Sequence, residues 1–331
     1  MSSGEIVVRV RNLKKWFPVR TGIIEDLISR QKRYVKAVDG ISFDIKKRQI
    51  FGLVGESGCG KTTTGRVILR LIEPTSGEVQ LGDQSVFSLK KRELNEFRKR
   101  AQIIFQDPYN SLDPRMNIFD FISEPLVVHN IGNKEERVTN ALKTVELVPP
   151  EEFFSRFPHE LSGGQRQRVA IARAMIMNPK FIVADEPVSM LDVSIRSSIL
   201  KLMFKLREEM GVSYLYITHD LATTRQVCDK IAIMYLGKFV EEAETEELLK
   251  NPLHPYTQAL VLAVPIPDPT ARKSKVTISG EIPSPIDLPS GCRFHPRCPY
   301  AKEICRKEEP NLVEVGDNHR VACHLKASAP R

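Results

Sequence analysis

The sequence predicts an α/β fold built around a parallel sheet. Residues 49–54, 181–185 and 213–218 are short apolar runs without the alternation of a half-exposed strand, which is typical of strands buried on both faces. Helical spacing of apolar residues follows the first two runs, at residues 60–71 and 195–206. Buried strands that alternate with amphipathic helices indicate a parallel sheet covered by helices.

Two further strands are predicted near the N-terminus. Residues 5–10 alternate polar and apolar side chains, and residues 41–45 have the composition of a second strand. The basic stretch between them, residues 19–36, has no clear period and is interpreted as a loop or a short insert.

The composition and pattern of the chain change at two places. Residues 107–170 are predicted to form a helical insert, because proline and asparagine punctuate its start and helical segments follow at about 117–129 and 134–147. After residue 250, frequent prolines interrupt any long element, and four of the six cysteines lie there. We therefore expect one domain over residues 1–250 and an extension over residues 251–331.

Composition and charge exclude several classes of protein. No run of 18 apolar residues is present, so a membrane span is not expected, and the first residues lack the features of a signal peptide. The 49 Lys and Arg residues against 41 Asp and Glu give a net charge of +8, which suits binding to nucleic acid, anionic lipid or nucleotide. Without an export signal, the six cysteines are expected to be reduced thiols or metal ligands.

The basic segment at residues 89–100 is interpreted as a solvent-exposed helix face. It carries six basic and two acidic residues from 90 to 100, with Leu94, Phe97 and Ala101 at helical spacing. A helix that binds nucleic acid would carry a similar charge, but no aromatic-interleaved strand motif for RNA accompanies it.

A glycine-rich loop follows the first buried strand. Residues 55–62, GESGCGKT, match the pattern G-x-x-x-x-G-K-[ST] between a strand and a helix. Backbone N–H groups of such a loop point inward and bind phosphates, Lys61 would reach the β and γ phosphates, and the Thr62 hydroxyl would ligate Mg²⁺. The candidate nucleotide-binding residues here are Gly55, Ser57, Gly58, Cys59, Gly60, Lys61, Thr62 and Thr63.

Cys59 lies inside this loop, at a position that the pattern does not constrain. We interpret it as a passive replacement for serine or alanine. A thiol beside Lys61 and a helix N-terminus could instead have a lowered pKa.

An acidic pair follows the second buried strand. Asp185 is placed to hold Mg²⁺, and Glu186 could polarise a water in line with the γ phosphate. Two acids at this position could also form a simple loop, but the phosphate loop in the same chain favours the nucleotide interpretation. His219 ends the third buried strand and could contact the γ phosphate.

A second glycine motif, LSGGQ at residues 161–165, precedes the segment RQRVAIARAM. At a helix N-terminus such a motif offers hydroxyl and backbone donors to a phosphate, from Ser162, Gly163, Gly164 and Gln165. With this motif, nearly the whole chain resembles the ATPase subunits of ABC transporters. The resemblance implies an ABC-type nucleotide-binding domain, with a parallel-sheet ATPase core, a helical insert and N-terminal antiparallel strands. It also implies that LSGGQ meets the nucleotide of an opposite subunit, so that ATP joins two chains.

The resemblance assigns roles to further residues. Gln106, in IIFQDP, matches the glutamine of the family's Q-loop and is assigned to catalysis and to Mg²⁺. Asp192 ends a segment that matches the D-loop, with Met190 where alanine is more usual. His219 matches the switch histidine and is assigned to catalysis with Glu186.

An aromatic side chain after the first strand stacks on adenine in this family. Phe17 aligns best with that position, while Trp16 and Tyr34 are alternatives.

A narrower resemblance concerns the solute. The chain is similar to the oligopeptide, dipeptide and nickel importer subfamily in the segments VKAVDGISFDI, FQDPYNSLDPRM, ADEPVSMLDVS and NPLHPYTQAL. EPVSMLD and the insert before VKAVDG are similar to the F-type subunit, which pairs with a D-type ATPase subunit. The subfamily also includes carriers of oligosaccharides, so the solute stays open.

The tail contains four cysteines whose spacing alone does not identify a ligand. The intervals of five, six and 17 residues match neither a zinc finger nor a bacterial ferredoxin, and His295, His319 and His324 could compete as ligands. Four thiolates suit Zn²⁺ or an iron–sulfur cluster. The resemblance implies a [4Fe–4S] cluster, with zinc or free thiols as alternatives, and we expect a metal to staple this proline-rich region. The cysteines are Cys292, Cys298, Cys305 and Cys323.

We therefore expect an ATP-hydrolysing subunit of an ABC importer for peptides or a related solute, peripheral on the cytoplasmic face of the cell membrane. The implied partners are a D-type ATPase subunit, two transmembrane permease subunits that dock near Gln106 and, indirectly, an extracytoplasmic solute-binding protein. Nucleic acid is not an expected partner.

Two other functions compete with this expectation. A soluble ABC ATPase acting on nucleic acid in repair or translation would suit the charge. Translation and recycling types usually carry two ATPase units, whereas this chain has one phosphate loop and its cysteines follow the ATPase. An exporter ATPase is the third possibility, and the subfamily segments argue against it.

Overall fold

The computed structural model describes residues 4–19, 33–264, 278, 280–316 and 318–327. In chain order, the strands of this part are β1 (Ile6–Pro18), β2 (Tyr34–Lys46), β3 (Ile50–Val54), β4 (Ser76–Leu81), β5 (Gln84–Ser85), β6 (Ala101–Ile104), β7 (Phe181–Asp185), β8 (Ser213–Thr218), β9 (Lys230–Tyr235), β10 (Lys238–Glu244), β11 (Val313–Gly316) and β12 (His319–Val321).

The helices of the same part are α1 (Lys61–Ile68), α2 (Lys91–Arg100), α3 (Pro108–Ser111), α4 (Ile118–Val128), α5 (Lys134–Thr144), α6 (Glu151–Phe154), α7 (Gly163–Met175), α8 (Val193–Met210), α9 (Leu221–Val227), α10 (Thr245–Lys250), α11 (Pro255–Ala263), α12 (Glu303–Lys307) and α13 (His324–Ala327).

The three predicted core strands are confirmed. Every residue of β3, β7 and β8 is buried, as expected for strands covered on both faces. The pairs β6–β7, β7–β8 and β3–β9 are parallel. The prediction of a parallel-sheet core is therefore correct.

Two boundaries differ from the sequence prediction. Helix α2 ends at Arg100, and Ala101 begins β6, where it pairs with Phe181 instead of continuing the helix. Burial of an apolar segment next to β7 outweighs the helical spacing that Ala101 completes. The basic stretch 19–36 is not wholly a loop or insert, because residues 34–36 belong to β2; residues 20–32 lie outside the described part.

The chain divides into two compact units. The first comprises Met1–Val8, Ile45–Ile50 and Leu81–Ile217. It contains β6, β7 and β8 side by side, and the predicted helical segments as α4 and α5, which pack on α7. Helix α8 ends at Gly211, whose φ of 71° is the left-handed conformation typical of a helix C-terminus.

The second unit comprises Arg9–Asp44, Phe51–Gln80 and Thr218–Arg331. Beyond the parallel pair β3–β9, strands β10, β12 and β11 follow in antiparallel pairing, for example Glu241 with Val321. These antiparallel strands, β10, β12 and β11, are not predicted by the sequence. Because β11 and β12 come from the C-terminal extension, residues from both sides of position 250 share one unit.

No helix within these described ranges has the length and hydropathy that crossing a membrane requires.

Candidate functional site

The glycine loop connects β3 to α1 and depends on its glycines. Gly58 and Gly60 have φ values of 79° and 111°, which disfavour side chains. A Cβ atom on Gly60 would lie 1.9 Å from the Ala37 carbonyl oxygen, and one on Gly55 would lie 2.2 Å from that of Met234. The loop therefore packs tightly against neighbouring backbone, and glycine is required at Gly55 and Gly60.

Lys61 is held against this loop. Its side chain is buried, and the Nζ atom donates hydrogen bonds to the carbonyl oxygens of Gly55 at 2.7 Å and Glu56 at 3.0 Å. Ser57 and Gly58 are exposed at the tip of the loop. A cation buried beside exposed backbone is an arrangement that suits a phosphate ligand.

Cys59 is 4% exposed, and burial raises its pKa despite the opposing charge of Lys61. The alternative of a lowered pKa is therefore wrong, because desolvation of the thiolate outweighs the nearby cation. Thr62 and Thr63 are half-buried in the first turn of α1.

The acidic pair lies at the end of β7, in the first unit. Asp185 is buried, and Glu186 has a φ of 46°, a left-handed conformation that is unusual for glutamate. The Glu186 N–H group donates to the carbonyl of Ile217 at 2.9 Å. Gln106 Nε2 donates to Glu186 Oε2 at 3.0 Å. Two candidate residues from distant parts of the sequence are thus in direct contact.

The LSGGQ motif forms the N-terminus of α7. Ser162 is the N-cap: its hydroxyl accepts from the Gln165 N–H at 3.3 Å, and the Gln165 side chain accepts from the Ser162 N–H at 2.9 Å. Ser162 is exposed, whereas a Cβ atom on Gly164 would lie 2.8 Å from Ile195 Cγ2. The helix start is therefore fixed by its own side chains and open to solvent at Ser162.

The remaining family positions lie at exposed element ends. Asp192 precedes α8 and is exposed, and Met190 beside it is 60% exposed. His219 follows β8 and is exposed, while Asp220 caps α9 through the Ala222 N–H at 2.8 Å.

The aromatic candidates occupy different surroundings. Trp16 Nε1 donates to Asp39 Oδ1 at 3.0 Å, and the Trp16 ring lies 6.2 Å from that of Tyr34. Phe17 is half-buried, with Lys15 Nζ 4.8 Å from its ring centre. Because side chains of neighbouring strand residues point to opposite faces, Phe17 and Trp16 lie on opposite faces of β1. The adenine role of Phe17 stays a prediction.

Three residues around the loop were missed by sequence reasoning. The Glu56 N–H donates to the Tyr256 hydroxyl at 3.0 Å, and Arg297 binds the Glu56 carboxylate through Nη1 at 2.8 Å and Nη2 at 3.1 Å. The loop pattern leaves the Glu56 position free, and its partners come from the C-terminal extension. No local periodicity could have indicated these contacts.

The four tail cysteines lie near one another in the second unit. Cys292 N–H donates to the Cys305 carbonyl at 2.8 Å. Burial, together with the neighbouring thiols, raises the pKa of Cys292 to about 11 and also raises those of Cys298 and Cys323. The thiols are thus close enough to influence one another's ionisation.

The competing histidines have other partners. His295 Nδ1 is 3.0 Å from the Cys292 carbonyl, His319 Nε2 is 2.7 Å from Glu241 Oε1, and His324 Nε2 is 2.9 Å from the Glu308 carbonyl. Across the described ranges, no three Cys, His, Asp or Glu side chains are grouped as a metal ion requires. A metal staple in the tail is therefore not shown.

Known proteins of similar sequence identify the family. The oligopeptide transport ATP-binding protein AppF of Bacillus subtilis (strain 168) is 46% identical over 327 residues, which cover 97% of this chain and 98% of AppF. Residues 38–189 also match the family described as ABC transporter. This chain belongs to the ABC transporter family.

Sequence profiles divide this ABC chain into two matched regions. Residues 38–189 match the profile described as ABC transporter, which includes the phosphate loop, LSGGQ and Glu186. Residues 240–305 match the profile described as oligopeptide/dipeptide transporter, C-terminal region. The second match includes Cys292, Cys298 and Cys305.

Solved ABC structures share the fold. The dimeric ATP-binding cassette MJ0796, in a post-hydrolysis state bound to ADP and Pi, is 31% identical with a TM-score of 0.61, covering 72% of this chain and 98% of that one. CbiO1 of Clostridium perfringens, part of the transporter complex cbiONQ, is 26% identical with a TM-score of 0.63, covering 75% of this chain and 92% of that one.

Proposed function

We propose that this ABC protein is the ATP-hydrolysing subunit that energises an importer of peptides or a related solute. The observation that carries the proposal is the 46% identity to an oligopeptide transport ATP-binding protein across nearly both whole chains. The buried Lys61 in a glycine loop and the Gln106–Glu186 contact supply the chemistry such a subunit needs.

In the second unit, the phosphate loop would bind ATP. Backbone N–H groups of Gly58, Gly60 and their neighbours would bind phosphate oxygens, and Lys61 would leave its carbonyl partners to bind the β and γ phosphates. Thr62 would offer a hydroxyl to Mg²⁺, Thr63 would lie beside it, and Phe17 would stack on adenine.

In the first unit, Glu186 would orient the attacking water. Asp185 and Gln106 would bring a carboxylate and an amide oxygen to Mg²⁺, and both are ligand types that Mg²⁺ prefers. When bound, Mg²⁺ would neutralise charge on the β and γ phosphates. Gln106 would also hold the Glu186 carboxylate. His219, which belongs to the second unit, would contact the γ phosphate.

The exposed start of α7 supports a site shared between two chains. Ser162, Gly163, Gly164 and Gln165 would meet the nucleotide of a D-type ATPase partner, with Asp192 at the same interface. ATP would then close the pair, and hydrolysis would release it. The pair would drive two transmembrane permease subunits from the cytoplasmic face of the membrane, with an extracytoplasmic binding protein delivering the solute.

Cys292, Cys298, Cys305 and Cys323 are proposed to hold a [4Fe–4S] cluster, with a single zinc ion as the alternative, because four thiolates suit either group. Such a group would cross-link residues 292–323 and offset the entropy of ordering them.

Reconstitution tests the transport function directly. We expect the chain, a D-type subunit and two permeases in proteoliposomes to hydrolyse ATP faster when peptide-loaded binding protein is added, and to import labelled peptide. Duplex DNA or structured RNA should not stimulate turnover. Stimulation by nucleic acid without peptide uptake would support the repair or translation alternative instead.

A further inference from the structure

All three polar groups of Glu56 are engaged inside the second unit. Its carboxylate binds the Arg297 guanidinium in a two-bond contact, at 2.8 and 3.1 Å. Its N–H donates to the Tyr256 hydroxyl at 3.0 Å, and its carbonyl accepts from Lys61 Nζ at 3.0 Å. Glu56 therefore links the extension to the lysine of the phosphate loop.

The residues on the extension side are firmly packed. The Arg297 side chain is 10% exposed, and its guanidinium lies 5.8 Å from the Tyr235 ring centre. Tyr235, Tyr256 and Phe294 contact one another, with ring centres 4.9 to 5.4 Å apart. This aromatic cluster holds Arg297 in place, so that the ion pair with Glu56 joins a rigid anchor to a glycine-rich loop.

A second arginine from the same segment reaches β2. Arg293 binds Asp39, and Asp39 also accepts from Trp16 Nε1 at 3.0 Å. The Arg293 and Asp39 side chains are each 9% exposed. Arg293 and Arg297 follow Cys292 and precede Cys298, so one short segment contacts both the phosphate loop and β2, the strand that carries Tyr34.

We propose that residues 292–298 set the conformation of the phosphate loop, with Arg297 as a positioning residue that acts on Lys61 through Glu56. The inference rests on the proposed phosphate-binding role of the loop. To bind phosphate, the Lys61 Nζ atom must exchange its hydrogen bonds to the Gly55 and Glu56 carbonyl oxygens for bonds to the ligand. The positions of these carbonyl groups depend on where Glu56 is held. Without Arg297 the loop adopts the binding geometry for a smaller fraction of the time, and apparent affinity falls by that fraction.

The test measures the affinity of the full chain for a fluorescent ATP analogue in the presence of Mg²⁺. Arg297→Ala removes charge-assisted bonds of a largely buried group, and we expect binding about tenfold weaker. Arg306→Ala is the matched control, because Arg306 is exposed in the same extension; it should bind like the wild type. Arg297→Lys keeps the charge without the two-bond geometry and should lie between the two.

A double-mutant cycle separates positioning from general destabilisation. In the Glu56→Ala background, Arg297→Ala should weaken binding no further, because the contact is already lost. If Arg297→Ala does not fold, Arg297→Lys with Glu56→Gln provides the same cycle. Independent, additive effects, or wild-type affinity in folded Arg297→Ala, would overturn the inference. Wild-type affinity in Lys61→Ala would instead overturn the phosphate-loop function on which it rests.

Discussion

The Nε2 atom of Gln106 donates a hydrogen bond of 3.0 Å to the Oε2 atom of Glu186, 80 residues further along the chain. Glu186 is itself fixed by a left-handed backbone and by its N–H bond to Ile217. The carboxylate proposed to orient water is therefore aimed by two independent contacts. Removing either contact should affect the reaction more than the binding of ATP.

Replacing Gln106 by alanine tests whether its side chain orients the Glu186 carboxylate. The variant loses one hydrogen bond to a charged group, which is worth about 1.5–3 kcal/mol when fully effective. Since the site is partly open, we expect turnover to fall roughly tenfold, with the dissociation constant of ATP measured without Mg²⁺ nearly unchanged. Gln102→Ala, on the preceding strand, is the control. Equal turnover in both variants would show that the contact has no catalytic role.

The two left-handed glycines of the phosphate loop should differ in their tolerance of alanine. A Cβ atom at Gly60 meets the Ala37 carbonyl at 1.9 Å, whereas at Gly58 it meets no atom within 4 Å. Gly58→Ala should cost only the backbone strain of about 1–2 kcal/mol, and Gly60→Ala should abolish nucleotide binding. Denaturant unfolding and nucleotide titration of both variants check this. Similar behaviour of the two would contradict the described loop.

The stability of the extension should depend on pH through His319. Burial opposes protonation, but the hydrogen bond and charge of Glu241, with the charge of Glu247, outweigh it and raise the pKa of His319. Because the pKa of His319 is higher in the folded state, its interactions stabilise the fold fully below the unfolded-state pKa of about 6.5. This stabilisation is lost as the pH rises through the folded-state pKa.

The melting temperature should therefore separate wild type from His319→Gln most strongly at low pH. His254 also faces Glu241, but burial lowers its pKa to about 4, so it is neutral in the folded protein across the measured pH range. Scanning calorimetry between about pH 6 and pH 9 checks this. A difference that grows with rising pH would contradict the assigned pair.

Metal analysis tests the tail. A [4Fe–4S] cluster predicts a brown protein after anaerobic purification, with about four iron and four sulfide per chain. Replacing Cys292, Cys298, Cys305 or Cys323 by serine should remove the colour and expose residues after about 280 to protease. A colourless protein with about one zinc ion would replace the cluster by a zinc site.

The sequence predicted the elements whose pattern is local. The runs around β3, β7 and β8 are uniformly apolar because they are buried on both faces, and the phosphate loop matches a pattern with fixed spacing. The start of α7 was equally predictable from the sequence, because Ser162 and Gln165 form a capping box within four residues.

The contacts that tie the extension to the loop were not predictable. Glu56 occupies a free position of the loop pattern, and Arg297 lies 241 residues away. The pairing of β12 with β10 likewise joins Val321 to Glu241 across a long proline-rich segment. Such pairs depend on the tertiary fold, and no period of 2 or 3.6 residues encodes them. Ala101, which falls at helical spacing after Leu94 and Phe97, begins β6 for the same reason, since pairing with Phe181 decides its conformation.

The central claim is ATP hydrolysis at Glu186, and the direct measurement is the turnover of Glu186→Gln beside its affinity for ATP. The substitution keeps the size and hydrogen-bonding ability of the side chain but removes the carboxylate that would orient water. With the D-type partner present, we expect turnover to fall by orders of magnitude, unchanged or tighter ATP binding, and accumulation of an ATP-bound pair. Near-normal hydrolysis by Glu186→Gln would contradict the account.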